Sequence, residues 1–227
     1  MLSIPALCWL CQMPLAIAHH GCCSLCLRHL PRLPPCCPRC GLPALHERTP
    51  CGRCLVHPPA WSRIIAVCGW QPPVKALVKR LKFYRVTALS LMLARLMLLA
   101  WLAARRQHGL RRPDVIMTVP LQKNRAWQRG FNQMDDIARY LAHCCGCRYL
   151  PAALRRTRKA KIQHRLTASA RRRNLRGAFR VEIDVRERHI TLLDDVVTTG
   201  CTAQEISRIL LAAGAASVEI WCLCRTL

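Results

Sequence analysis

The sequence predicts an α/β fold with a largely parallel sheet flanked by helices, preceded by a small cysteine-rich segment that needs metal to fold. Three observations predict it. From Trp61 onward, short apolar runs alternate with stretches of helical periodicity. Four Cys-x-x-Cys pairs crowd the first 57 residues, which otherwise lack periodic apolar runs and are punctuated by Pro and Gly. His57-Pro58-Pro59 separates the two textures, because successive prolines disfavour helix and strand alike. The expected division is a metal-bound segment over 1–57 and an α/β domain over 60–227.

The elements follow in order. Ile64–Trp70 reads as a strand, Pro72-Pro73 as a turn, and Val74–Phe83 as a basic amphipathic helix with Lys75, Lys79, Arg80 and Lys82. Thr87–Arg106 is a long helix. Its apolar stretch Ala88–Ala104 imitates a membrane span, but Arg95 interrupts it and it falls short of the about 20 apolar residues a span requires. A core helix fits better. Val115–Val119 is a buried strand ending at Pro120, and Phe131–His143 is a further helix. Val181–Ile183 is expected as an edge strand, and His189–Leu193 and Val218–Leu223 complete the alternation.

Cys8/Cys11, Cys23/Cys26, Cys37/Cys40 and Cys51/Cys54 each have the two-residue gap of a zinc knuckle, and two knuckles make one tetrahedral Cys₄ site. Similar gaps of ten or eleven residues between pairs permit sequential or interleaved pairing. The expected pairing is sequential, with interleaving as the alternative: Cys8, Cys11, Cys23 and Cys26 for one structural zinc, and Cys37, Cys40, Cys51 and Cys54 for the other. Cys22 and Cys36 are adjacent competitors that break the gap, and His19 and His20 are alternative ligands between knuckles. Cys144, Cys145 and Cys147 read as a buried helix end or a further thiol site, and Cys222 and Cys224 as core residues of a strand. Met1–Leu7 lacks the regions of a secretory leader, so a cytoplasmic location with reduced thiols is expected.

The most informative stretch is His189–Thr202, HITLLDDVVTTGCT, followed by the helical run Ala203–Ala212. Asp194 and Asp195 are expected at the carboxyl end of a strand, where α/β sheets keep their ligands. Paired carboxylates there can accept hydrogen bonds from vicinal ribose hydroxyls and help hold Mg²⁺. Thr198, Thr199, Gly200, Cys201 and Thr202 offer backbone N–H groups, hydroxyls and a helix N-terminus, a combination suited to phosphate. The bland alternative is a buried strand whose acids cap a helix. Upstream, Val119-Pro120-Leu121 through Gly130-Phe131-Asn132-Gln133 carries Lys123, Arg125 and Arg129 after a strand, cations suited to a diphosphate or to a solvated loop.

Arg155–Arg176 contains ten Lys/Arg and no acid. Such a run suits a hood over a sugar-phosphate site, a track for a nucleic-acid backbone, or a solvated loop. Arg171, Arg172 and Arg173 are its densest part. A net charge of +25 and a pI near 10.5 imply a polyanionic partner, nucleic acid before anionic membrane. Few aromatic residues accompany the cations, which argues against base-specific reading.

Taken together, DDVVTTG resembles the ribose-phosphate fingerprint of type I phosphoribosyltransferases. The resemblance implies that Asp194 and Asp195, the candidate catalytic pair, face the ribose, that Thr198–Thr202 hold a 5′-phosphate, and that Lys123, Arg125 and Arg129 lie in the pyrophosphate loop. Cys201 departs from the small residue usual at its position. The full set of four knuckles, Leu81-Lys82-Phe83, VPL…RGFNQ, the R-x-N-x-x-x-A-F ending of the basic run and DDVVTTG is similar to the ComF/GntX family over nearly the whole chain. That resemblance implies a double zinc ribbon before a type I phosphoribosyltransferase-like domain, a role in competence or use of external DNA, and DNA-uptake proteins as partners. It implies Mg²⁺ with a phosphoribosyl-pyrophosphate-like ligand, and single-stranded DNA or nucleotides at the basic surface. A phosphoribosyltransferase with an unknown acceptor and a nucleotide-sensing regulator remain open. A glutamine-dependent amidophosphoribosyltransferase is disfavoured, since zinc knuckles stand where its nucleophilic N-terminal Cys would be required.

Overall fold

Strands form where β-branched and apolar residues run unbroken, as buried parallel strands require. The computed structural model describes residues 6–121, 132–157 and 175–227. Its main sheet is formed by β1 (Arg63–Gly69), β2 (Val115–Thr118), β3 (Arg148–Tyr149), β6 (His189–Val197) and β7 (Ser217–Arg225). The order is β1-β7-β6-β2-β3, and every pairing is parallel. A separate antiparallel pair joins β4 (Leu154–Arg156) to β5 (Phe179–Val181).

Helices α3 (Val74–Phe83), α4 (Leu89–His108) and α5 (Asp135–Cys145) pack with one side of the sheet. Helix α6 (Cys201–Ala212) packs with the other, alongside the β4–β5 pair. Within α3, Val74, Leu77, Val78 and Leu81 are buried, the i, i+3, i+4, i+7 pattern of one helical stripe. Trp101 of α4 lies 5.3 Å from Trp221 of β7, ring centre to ring centre, both buried. No helix among the described residues is long and apolar enough to cross a membrane.

Several expectations shift. β6 continues four residues past Leu193, through both acids, because β7 still pairs with it there (Asp194 with Cys222, Val196 with Cys224). The acids therefore lie inside a strand rather than after it. The expected strand Val181–Ile183 is displaced to Phe179–Val181 and is not in the main sheet; its partner is Leu154–Arg156, and Glu182 already turns its N–H to Ala153 O. α5 starts at Asp135, after a turn in which Asn132 Oδ1 accepts from Met134 N at 3.1 Å and Asn132 O from Asp135 N at 2.9 Å.

The N-terminal segment, with its short helices α1 (Ser24–Arg28) and α2 (Gly52–Val56), is docked on the sheet layer. Its first half leans on α3 and α4: Arg80 stacks over Trp9 at 5.2 Å, and Gly21 sits so close to Met92 that a Cβ there would come within 2.8 Å. The second half meets β1 and β7 through three consecutive carbonyls: Pro38 O accepts from Ile64 N, Arg39 O from Trp61 Nε1, and Cys40 O from Arg225 Nε.

The Trp101–Trp221 pair fills the centre of the larger core. Trp221→Ala is expected to cost about 3–5 kcal/mol, read as a lower urea midpoint followed by circular dichroism.

Candidate metal centres and phosphosugar site

The eight knuckle cysteines come together as two groups in sequential pairing: Cys8, Cys11, Cys23 and Cys26, and Cys37, Cys40, Cys51 and Cys54. Within each group the sulphurs lie within 4.8 Å of one another, with Cys11–Cys23 and Cys40–Cys51 at 3.8 Å. Zn–S bonds of about 2.3 Å in a tetrahedron place sulphurs about 3.8 Å apart, so both groups could hold zinc. Backbone N–H groups point at the sulphurs, from Cys23 to Cys8 at 3.4 Å and from Cys51 to Cys37 at 3.2 Å. Burial pushes both thiols up, but backbone N–H groups more than reverse it, leaving Cys8 at about 6 and Cys37 at about 7. Cys22, Cys36, His19 and His20 stand outside both groups, and Cys144, Cys145 and Cys147 form no third one among the described residues. Cys222 and Cys224 are fully buried core residues, as expected.

The acid pair sits where β6 outlasts its neighbour β2, whose pairing ends at Thr118 opposite Leu193. Alternation along a strand turns the two side chains to opposite sides. Asp195 faces α3 and α5. Its Oδ1 lies 2.6 Å from Lys82 Nζ, and its Oδ2 accepts from Gln133 Nε2 at 2.6 Å. Asp194 Oδ1 accepts from Asp195 N at 2.8 Å. Desolvation, and then the charge of Asp195, pushes the Asp194 carboxyl well above the usual carboxylate range, with Lys82 opposing. Gln133 is held in place by a network at the start of α5. Asn132 Nδ2 donates to Thr118 Oγ1 and Val119 O, and Tyr149 OH and Thr118 Oγ1 both donate to Asp135 Oδ1.

The turn after β6 leads directly into α6. Thr198 and Thr199 are exposed, Thr202 is half-buried, and Gly200 and Cys201 are buried. Gly200 has φ +75°, the left-handed region, and a Cβ there would come within 2.9 Å of the Trp61 ring. The close approach at this glycine is therefore made by Trp61. Among the described residues no side chain caps α6, and Thr199 Oγ1 lies 3.2 Å from Cys201 Sγ. Arg225 donates through Nη1 to Val197 O and Thr198 O, and through Nε to Cys40 O. A cleft of about 540 Å³ separates the turn from the second cysteine group; Arg53, His57, Trp61, Thr198, Thr199 and Arg225 are among its lining.

Curated proteins show strong similarity. The DNA utilization protein YhgH of Salmonella typhimurium and that of Escherichia coli K12 are each 50% identical over 227 residues, the whole of both chains. Competence protein F of Haemophilus influenzae is 34% identical over 218 residues, 95% of each chain. The chain belongs to the ComF/GntX family. No family model matches the chain. Among solved structures, a Leishmania donovani hypoxanthine-guanine phosphoribosyltransferase is 20% identical over 61% of this chain and 70% of its own, at a TM-score of 0.35. An allosteric regulatory enzyme of purine biosynthesis is 19% identical over 57% of this chain and 24% of its own, at 0.36. Scores this low carry no argument.

In this ComF/GntX member the described residues bring Asp194, Asp195 and Thr198–Thr202 together at one end of the sheet. Lys123, Arg125, Arg129, Arg171, Arg172 and Arg173 lie outside the described residues. Lys82, Gln133, Trp61 and Arg225 line this region without a site role legible from local sequence. The first two stand in the motifs Leu81-Lys82-Phe83 and RGFNQ, and that was the only available signal.

Two outcomes are expected. Elemental analysis should give two zinc ions per chain, and Cys37→Ser should reduce this to one while sparing the first group. Gly200→Ala should destabilise by about 1–2 kcal/mol for its left-handed backbone alone, with the Trp61 overlap added, measured by thermal melting.

Proposed function

We propose that this protein binds a phosphorylated ribose at the end of β6 and serves the use of external DNA, handling single-stranded DNA or nucleotides. The observation that carries the reading is the order of groups along one backbone. Two acids near the carboxyl end of a central strand lead through a Thr-Thr-Gly turn into a helix N-terminus that no side chain caps among the described residues. Asp194 and Asp195 meet the ribose side of the ligand, Thr198–Thr202 its 5′-phosphate, and Lys123, Arg125 and Arg129 its diphosphate. Mg²⁺ enters with that diphosphate, for which phosphoribosyl pyrophosphate is the model ligand. Two structural zinc ions hold the segment 1–57 against the domain 60–227. The names of the relatives, DNA utilization protein and competence protein, support the DNA role and a place beside DNA-uptake proteins. The charge of +25 supports a polyanionic partner.

Calorimetric titration with phosphoribosyl pyrophosphate and Mg²⁺ tests the pocket. Asp194→Ala is expected to weaken binding by about 0.5–1.5 kcal/mol, one hydrogen bond to a ribose hydroxyl, with the melting curve retained. Equal affinity in both proteins removes Asp194 from the site. For DNA, log affinity should fall with log salt by roughly 0.7 per phosphate contacted on single strands, and joint replacement of Arg171, Arg172 and Arg173 should flatten that slope by about two. Fluorescence anisotropy with two unrelated oligonucleotides should show the same loss for both, because phosphate contacts carry no sequence information.

A further inference from the structure

Asp195 has no carboxylate oxygen left without a protein partner. Oδ1 is paired with the Lys82 ammonium and Oδ2 with the Gln133 amide, both at 2.6 Å. Lys82 reaches it from the last turn of α3, a helix fixed to the sheet by four buried side chains, so the ammonium is delivered by a rigid element. The pair is largely shielded from solvent, with side-chain exposures of 18% for Lys82 and 9% for Asp195. Two ionised acids alone would present a charge of −2, the kind of oxygen site that gathers a hard divalent cation. With Lys82 inserted, one of those charges is already neutralised and the oxygen nearest α3 is occupied. A metal ion approaching Asp195 would have to displace the ammonium from its one ion pair among the described residues.

We infer that Lys82 is the resident cation of the acid pair: it holds Asp195 in position for the ribose in place of a divalent ion, so that Mg²⁺ is brought by the ligand's diphosphate and not bound by Asp194 and Asp195. This rests on the phosphoribosyl reading of the same site. Lys82 is accordingly a positioning and specificity-determining residue. A ligand that carries the ribose and 5′-phosphate but no diphosphate binds without metal.

The experiment uses the full-length, zinc-loaded chain and two probes. In the first arm, free Mn²⁺ is followed by electron paramagnetic resonance during titration of the ligand-free protein. The wild type should show no site at the acid pair. Lys82→Met, of similar length and without charge, should gain one, and adding Asp195→Asn should remove it. Mn²⁺ bound as tightly by the wild type as by Lys82→Met, or no site gained by that variant, overturns the inference. A salt bridge that merely pins α3 would lower the melting temperature of Lys82→Met and leave Mn²⁺ binding unchanged. In the second arm, ribose 5-phosphate is titrated by calorimetry with and without Mg²⁺. Wild-type affinity should be the same in both buffers, whereas Lys82→Met should be at least about tenfold weaker without Mg²⁺ and recover with it. Equal Mg²⁺ dependence in the two proteins also overturns the inference. Absence of ribose 5-phosphate binding to the wild type in either buffer rejects the pocket itself, and the Mn²⁺ arm still decides the role of the lysine.

Discussion

Arg225 ends β7 with its guanidinium inside the protein, donating to carbonyls from Cys40, Val197, Thr198 and Thr226. The last strand, the turn after β6 and the second cysteine group therefore share one buried side chain. Only a planar fork of donors can serve so many acceptors at once; a lysine would leave carbonyls unpaired in a water-poor interior. Trp61 repeats the connection from the other side of the turn. Its indole N–H donates to Arg39 O at 2.6 Å, while its ring takes the space a side chain at Gly200 would fill. The cysteine segment thus fixes the shape of the turn, and any zinc bound at Cys37, Cys40, Cys51 and Cys54 stabilises that turn indirectly.

The acid pair shows how two adjacent identical residues acquire different chemistry. Asp195 faces the helices, with one oxygen paired to an ammonium and the other accepting from an amide. Asp194 faces the other way, without an ion pair among the described residues, and desolvation raises its carboxyl above the usual carboxylate range. The difference comes from strand alternation and from the position of α3, not from the local sequence. Burial of both along a central strand is tolerated because each is hydrogen-bonded, Asp194 through the N–H of its neighbour.

Much of this was legible in the sequence. α3 was read with its true ends because its apolar stripe and flanking Pro73 are purely local signals. The two Cys₄ groups followed from the two-residue gaps, but the choice of sequential over interleaved pairing did not, since pairing depends on how the chain between knuckles folds back. β3, β4 and β5 were missed or misplaced because segments of two or three residues are defined by their partners rather than by composition. The extension of β6 through Asp194 and Asp195 was hidden because two acids end an apolar run by any local rule; only the register with Cys222 and Cys224 keeps them in the sheet. Lys82, on α3, and Gln133, in the turn before α5, meet at Asp195 only through tertiary placement, 51 residues apart in the chain.

Pro58-Pro59 looks from the sequence like a seam along which evolution could cut and rejoin. The three docked carbonyls of Pro38, Arg39 and Cys40 make it nothing of the kind. An α/β half grafted to a different N-terminal partner would inherit a core arginine short of its Cys40 acceptor, and a tryptophan indole and a strand amide stripped of theirs. Recombination at this point would be penalised even where each half remains intact, so the two parts should be transmitted together and diverge in step.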